Sequence, residues 1–153
     1  MLNPQDLEII KKEAKKFFEK MSFDVEIEFL PQKELTLPIN LKSDQPQILI
    51  GEGGQTLAEI QHLLKAILKR KIEENFYIDL DINNYKKKKI EYLKDLAQSV
   101  ADEVALTKRE KQLPPMLAYE RRIIHLELAE RSDVTTESLG REPERRVVIR
   151  PYP

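Results

Sequence analysis

The sequence predicts an α+β fold divided into two small domains. Three features of the chain lead there. Segments with helical spacing of apolar residues interleave with segments of strict alternation along the whole length. The order in residues 1–84 is helix, strand, strand, short helix, turn, helix, strand. At Asn83-Asn84 the pattern is punctuated and the charge balance changes: residues 1–84 carry 11 Lys and Arg against 15 Asp and Glu, and residues 85–153 carry 15 against 12. The boundary is therefore placed at residue 84, giving domains 1–84 and 85–150 and a Pro-Tyr-Pro tail at 151–153.

The composition suits a folded, well-solvated protein. Charged residues make up 35% of the 153 and apolar residues 41%. No apolar run approaches the roughly 20 residues needed to span a bilayer. The first 20 residues alternate charge with apolar side chains, so they do not read as a signal peptide. There is no cysteine, which excludes disulfides, thiolate metal sites and cysteine nucleophiles and is compatible with the cytoplasm. The overall charge of −1 conceals an acidic first half and a basic second half, so a phosphate-binding surface is expected in the second.

Asn3 can cap a helix that Pro4 begins, and Leu7, Ile10, Ala14, Phe17 and Phe18 repeat at helical spacing over residues 4–20. Phe23, Val25, Ile27 and Phe29 alternate with Asp24, Glu26 and Glu28, a half-buried strand with an acidic outer face. After a turn at Pro31-Gln32-Lys33, residues Leu35, Leu37, Ile39 and Leu41 form a second strand, expected antiparallel to the first. Pro38 on its outer face suggests an edge position or a bulge. Ser43 or Asp44 can cap a short helix over 46–50. The next helix covers 55–72, with Leu57, Ile60, Leu64, Ile67 and Leu68 on one side. Phe76, Ile78, Leu80 and Ile82 alternate with Tyr77, Asp79 and Asp81 in a third strand.

In the second half, Asn84 can cap a helix over 85–107 with Ile90, Leu93, Ala97, Val100 and Val104 on one face. Its first turn holds Lys86 to Lys89, unfavourable at the positive end of a helix dipole. Either a nearby polyanion or plain solvation relieves that. Leu113-Pro114-Pro115 interrupts the pattern, a helix follows over 116–131, and strands are predicted at 134–139 and 145–150 around a turn at 140–144.

Three of the four glycines lie in Ile50-Gly51-Glu52-Gly53-Gly54-Gln55-Thr56-Leu57. A phosphate-binding P-loop would need Lys-Ser or Lys-Thr after its last glycine, and Gln55-Thr56 stands there instead. The dinucleotide fingerprint Gly-x-Gly-x-x-Gly is absent, as is a βαβ unit around it. A glycine turn that brings a nucleic-acid backbone against a helix pair remains, beside the simpler reading of a tight helix–helix turn. With the element order, Ile-Gly-x-x-Gly-x-x-Leu and strand 76–82, the segment 20–84 resembles a KH domain of type II. The resemblance implies a three-stranded sheet with helices on one face. It implies a single-strand groove in which Gly51, Glu52, Gly53 and Gly54 meet phosphates while Ile50 and Leu57 flank the bases. Such loops usually carry a basic residue between the glycines. Glu52 repels phosphate, so the turn becomes a guide for the strand or a surface for a protein partner.

Arg121 and His125 stand four apart on one helix face. Arginine offers a fork of donors to phosphate and histidine one more, but such a pair is common by chance. Together with Pro115-Met116, Glu120 to His125, Thr136-Glu137-Ser138 and Arg145 to Ile149, it resembles the Arg-x-x-x-His (R-three-H) domain, a single-stranded nucleic-acid binder. The resemblance makes Arg121 and His125 the motif residues, Arg122, Arg145 and Arg146 candidate phosphate contacts and Ser138 a candidate hydroxyl contact. The three arginines also read as ordinary solvated surface.

A KH domain followed directly by an R-three-H domain resembles the Jag family of bacterial cytoplasmic RNA-binding proteins, which includes the SpoIIIJ-associated and KhpB/EloR-like proteins. This implies binding of single-stranded RNA, with single-stranded DNA as a second ligand. It also implies post-transcriptional regulation linked to cell elongation and division, and a KH-mediated homodimer or a heterodimer with a small KH protein. Many members carry an N-terminal Jag domain, and roles tied to it are not expected of this sequence. The other reading is a dimerisation or protein-docking module in which RNA binding is secondary. No enzyme activity, cofactor or metal is expected. Neither His62 nor His125 has a histidine partner nearby in sequence, and Asp79 and Asp81 read as the solvated side of a strand.

Overall fold

A computed structural model describes all residues, 1–153. The fold is α+β and divides into two compact units, Met1–Lys86 and Lys87–Pro153.

In the first unit, α1 (Pro4–Lys20) starts where the Asn3 side chain accepts from the Asp6 N–H at 2.8 Å, satisfying one otherwise orphaned donor. Its buried stripe is Ile10, Ala14 and Phe18. Strands β1 (Glu26–Phe29), β2 (Thr36–Lys42) and β3 (Tyr77–Ile82) form one sheet in the order β1-β2-β3. β1 and β2 are antiparallel, with Ile27 opposite Leu41. β2 and β3 are parallel, with Ile39 beside Leu80. The parallel pair needs a crossover, supplied by α2 (Pro46–Ile50), the 3-10 turn Glu52–Gly54 and α3 (Gln55–Lys69). Alternation puts Leu37, Ile39, Leu41, Ile78, Leu80 and Ile82 on one sheet face, where they share a core with Ile10, Phe18, Leu49, Leu57, Leu64 and Leu68 of the helices.

β2 is thus the central strand, which corrects the edge position suggested by Pro38. The Pro38 carbonyl accepts from the Leu30 N–H at 3.0 Å. In an extended strand a residue's N and C=O face the same side, so the nitrogen without a proton also faces β1. It does so just where β1 ends at Phe29, and little of the ladder is lost. The outer edge of β3 is covered by α3: Gln61 Oε1 accepts from the Leu80 N–H at 2.8 Å and Lys65 Nζ donates to the Phe76 carbonyl.

The helix α4 (Tyr85–Thr107) is capped by Asp81, not by Asn84. Asp81 Oδ1 accepts from the Lys86 N–H at 3.0 Å, and Asp79 pairs with Lys86 Nζ at 2.8 Å. These strand carboxylates offset the lysines at the helix start, so the two aspartates are not merely solvated. Asn83 instead exchanges two hydrogen bonds with the Ser43 backbone, and α2 begins at Gln45 without a side-chain cap.

The second unit packs α4 and α5 (Ala118–Leu128) against a sheet of order β4-β6-β5, formed by β4 (Lys111–Gln112), β5 (Val134–Leu139) and β6 (Arg146–Pro151). Its core holds Leu93, Ala97, Ala101, Val104, Ile124, Leu128, Val147 and Ile149. The two-residue β4 was not foreseen. The expected tail is also corrected: Pro151 pairs with Val134 and the Tyr152 N–H donates to the Asp133 carbonyl at 2.9 Å. Arg131, at the α5–β5 junction, binds Asp133 and Asp102 at 2.6 Å each and Gln98 at 3.0 Å. These bonds, led by Asp133, hold its guanidinium more firmly protonated than usual and pull the Asp133 carboxyl down.

Candidate nucleic-acid interface

Glu120 organises the start of α5. It is buried, its Oε2 accepts from the Leu117 N–H at 3.0 Å, and Lys89 Nζ lies 3.6 Å from its other oxygen. One position on, Arg121 is also buried, at 7% exposure. Its Nη1 donates to the Met116 carbonyl at 2.7 Å and to Glu142 Oε1 at 2.9 Å. Arg121 therefore ties the loop before α5 to the β5–β6 loop and is occupied within the chain.

His125, one turn along, is half-buried. Its ring nitrogens lie 2.7 Å from Thr136 Oγ1 and 2.7 Å from Ser138 Oγ. These hydroxyls share a face of β5 because they are two apart, and that face also carries Val147 and Ile149 of β6 through the register. Burial first, and then the charge of Arg121, push the imidazole pKa below its usual value. The neutral ring donates from one nitrogen and accepts at the other.

Arg122 lies about 100° around the helix from Arg121. It is exposed and carries no ion pair. Arg145 is half-buried and its Nη1 donates to the Gly140 carbonyl at 2.8 Å, with no carboxylate partner. Arg146 differs. It pairs with Leu139 in the register, on the sheet face away from Thr136 and Ser138, and binds the Glu144 carbonyl at 3.3 Å and carboxylate at 3.5 Å. On that same far face Arg150 is neutralised by Glu137 and by Glu110 at 2.9 Å. The structure thus brings Arg121, His125 and Ser138 together, leaves Arg122 and Arg145 available, and sets Arg146 apart. Thr136 and Glu142 complete the cluster. Thr136 lies in the Thr136-Glu137-Ser138 segment that carries the R-three-H resemblance but is not among the expected contacts, and nothing local marks Glu142.

The lysine run divides in the same way. Lys86 and Lys89 are held by Asp79 and Glu120, and Lys87 and Lys88 are exposed.

In the first unit the glycine turn is built by three residues of positive φ. Gly51 has φ +71 and ψ −178, and a Cβ there would stand 2.1 Å from Thr56 Oγ1. Gly53 (φ +61) faces open space, and Gly54 (φ +82) packs under the Tyr85 ring. Glu52 is exposed and no side chain caps α3. Ile50 packs partly against the core. Leu57 is 1% exposed inside it, so its side chain is taken up by the core and not by the flank of a groove. Ile48, 56% exposed, is the aliphatic beside the turn that faces outward.

Residues 91–151 match the R-three-H domain. Over most of its length the chain is similar to proteins described as RNA-binding protein KhpB. One from Clostridium symbiosum is 40% identical over 84% of this chain and 58% of its own length. One from Lactiplantibacillus plantarum is 36% identical over 72% of this chain and 34% of its own length. One from Bacillus subtilis is 33% identical over 77% of this chain and 58% of its own length. The chain is similar to the KhpB proteins over most of its length, and residues 91–151 match the R-three-H domain. The chain spans between about a third and three fifths of the length of these relatives. The R-three-H match covers α5, β5 and β6 and so contains the whole Arg121–His125–Ser138 cluster. No helix of the chain is long and apolar enough to cross a membrane.

Proposed function

We propose that this chain binds single-stranded RNA, and single-stranded DNA more generally, with its principal phosphate contacts in the R-three-H unit. The observation that carries the reading is the His125 imidazole, held by Thr136 and Ser138 one helical turn from the buried Arg121, with the exposed, unpaired Arg122 on the same helix. The ring's two nitrogens are spent on Thr136 and Ser138, so it orients these hydroxyls, whose remaining donor and acceptor capacity can serve sugar and base, while Arg122 supplies charge. The first unit is read as a type II KH domain whose glycine turn guides the strand. The description of the relatives as RNA-binding supports the ligand class. A bacterial, cytoplasmic post-transcriptional role linked to cell elongation and division is the biological setting this reading proposes. A binding protein without catalytic activity is the matching biochemical one. Fluorescence anisotropy with a labelled single-stranded oligouridylate tests it: binding should weaken steeply as salt rises, because Lys and Arg release condensed counterions. Equal affinity for a duplex of the same length, or no binding at low salt, would overturn it.

Glu52 on the turn, with Ile48 and Leu63 exposed nearby in the same unit, favours a second reading: the first unit docks a protein or a second KH domain, as a homodimer or with a small KH protein, and RNA binding is secondary. Light scattering of the full chain across concentration distinguishes the two.

A further inference from the structure

Arg121 presents a conflict. The R-three-H resemblance makes this guanidinium a phosphate contact, yet its Nη1 is already engaged by the Met116 carbonyl and by Glu142. The two side chains differ sharply in setting: that of Arg121 is 9% exposed and that of Glu142 is 58% exposed. A buried guanidinium is therefore paired at Nη1 with a carboxylate that is itself mostly in water. Glu142 sits in the loop between β5 and β6, which has no regular structure; Arg146 binds its Glu144, the Met116 N–H donates to the Arg145 carbonyl, and two bonds run within it. The Glu144 N–H donates to the Arg141 carbonyl at 2.8 Å, and Arg145 Nη1 donates to the Gly140 carbonyl at 2.8 Å.

We propose that Arg121 and Glu142 form an exchange site, in which a backbone phosphate of the bound strand displaces the Glu142 carboxylate and takes over the guanidinium. This rests on the nucleic-acid reading above and adds its regulation. A carboxylate and a phosphodiester present the same kind of oxygen pair to a guanidinium, so one replaces the other with the bond count kept. The exchange must be direct, since a buried charge stripped of its partner is strongly destabilising. Releasing Glu142 needs little new hydration, because most of its side chain already meets water. Arg145 belongs to the same device. Its guanidinium holds Gly140 at the root of the loop, and a phosphate drawing Arg145 outward frees the loop that carries Glu142. The chain's own carboxylate thus competes with ligand and screens out anions too weakly held to displace it.

The experiment uses the full chain and a labelled single-stranded oligouridylate. Glu142→Gln keeps an acceptor for Arg121 but removes the charge. It should bind about three- to tenfold more tightly than the parent, and the gain should vanish in an Arg121→Leu background. A gain that persists there would be a general effect of one less negative charge and would overturn the exchange. So would unchanged or weaker binding by Glu142→Gln while the parent binds. If Arg121→Leu does not fold, the side-chain N–H resonance of Arg121 in the parent serves instead. It should move on titration with the oligonucleotide and saturate at the same concentration as the anisotropy; a resonance that stays in place at saturation overturns the proposal. A parent that binds no single strand at all removes the nucleic-acid reading, and this inference with it.

Discussion

Gly51 stands so close to Thr56 that a Cβ on it would lie 2.1 Å from the threonine hydroxyl. Its φ of +71 with ψ of −178 falls in a region nearly exclusive to glycine. Gly53 has φ +61 but open space around it. Gly51→Ala should therefore cost about 2–4 kcal/mol, combining strain and overpacking. Gly53→Ala should cost about 1 kcal/mol, from the left-handed backbone alone. Urea denaturation of the two variants checks the difference.

Adjacent arginines should separate stability from binding. Arg121→Ala leaves the Met116 carbonyl without its donor and should lower stability by about 1–3 kcal/mol. Arg122→Ala removes an exposed, unpaired charge and should leave the denaturation midpoint unchanged. Its effect should appear in RNA affinity, uniformly across sequences, with the salt slope reduced by about one. Calorimetry and anisotropy on both variants read the two effects separately.

Acidification should destabilise the fold through the half-buried His125 imidazole. The folded pKa of His125 lies below its unfolded value, chiefly because of burial. Its contribution to stability is present above the unfolded pKa of about 6.5 and is lost as pH falls from there toward the folded pKa. The urea midpoint should drop between pH 7 and pH 5.5 in the parent and drop less in His125→Gln. An NMR titration of the ring should place its midpoint below 6.5.

Capping of α4 by a strand residue gives a fourth test. Asp81→Ala removes the acceptor for the Lys86 N–H and leaves the lysine run without its nearest cap carboxylate. A loss of about 1 kcal/mol is expected, read from thermal or urea unfolding. Asn84→Gly, which keeps the left-handed backbone at φ +57 without strain, should leave the cap intact.

Much of this architecture is written in short-range pattern. Alternation from Leu37 to Leu41 and from Ile78 to Ile82 marked both strands of the parallel pair, and helical spacing marked α1, α3 and α4. What alternation does not encode is which strand lies beside which. Pro38 pointed to an edge because its missing proton was counted without knowing where β1 stops. Lys111-Gln112 is too short and exposed to leave any period, and it is a strand only because β6 lies alongside. At the site, the spacing of Arg121 from His125 is readable, and Ser138 follows from the resemblance to the R-three-H domain. The fate of Arg121 was not, because Glu142 is 21 residues away and meets it only through the β5–β6 loop. Leu57 was misplaced for a related reason: a helix pattern gives a face, and only the assembled sheet says that the face is the core.

The first unit's sheet ends in two quite different borders. β3 spends backbone groups of its outer side on Gln61 and Lys65. β1 is four residues long and carries exposed Glu26 and Glu28, so a second β1 laid alongside would set carboxylate against carboxylate. Strand addition is thereby discouraged at both borders. Assembly through this unit is directed to side chains on its helices and turns, and fibrous growth through its sheet is disfavoured.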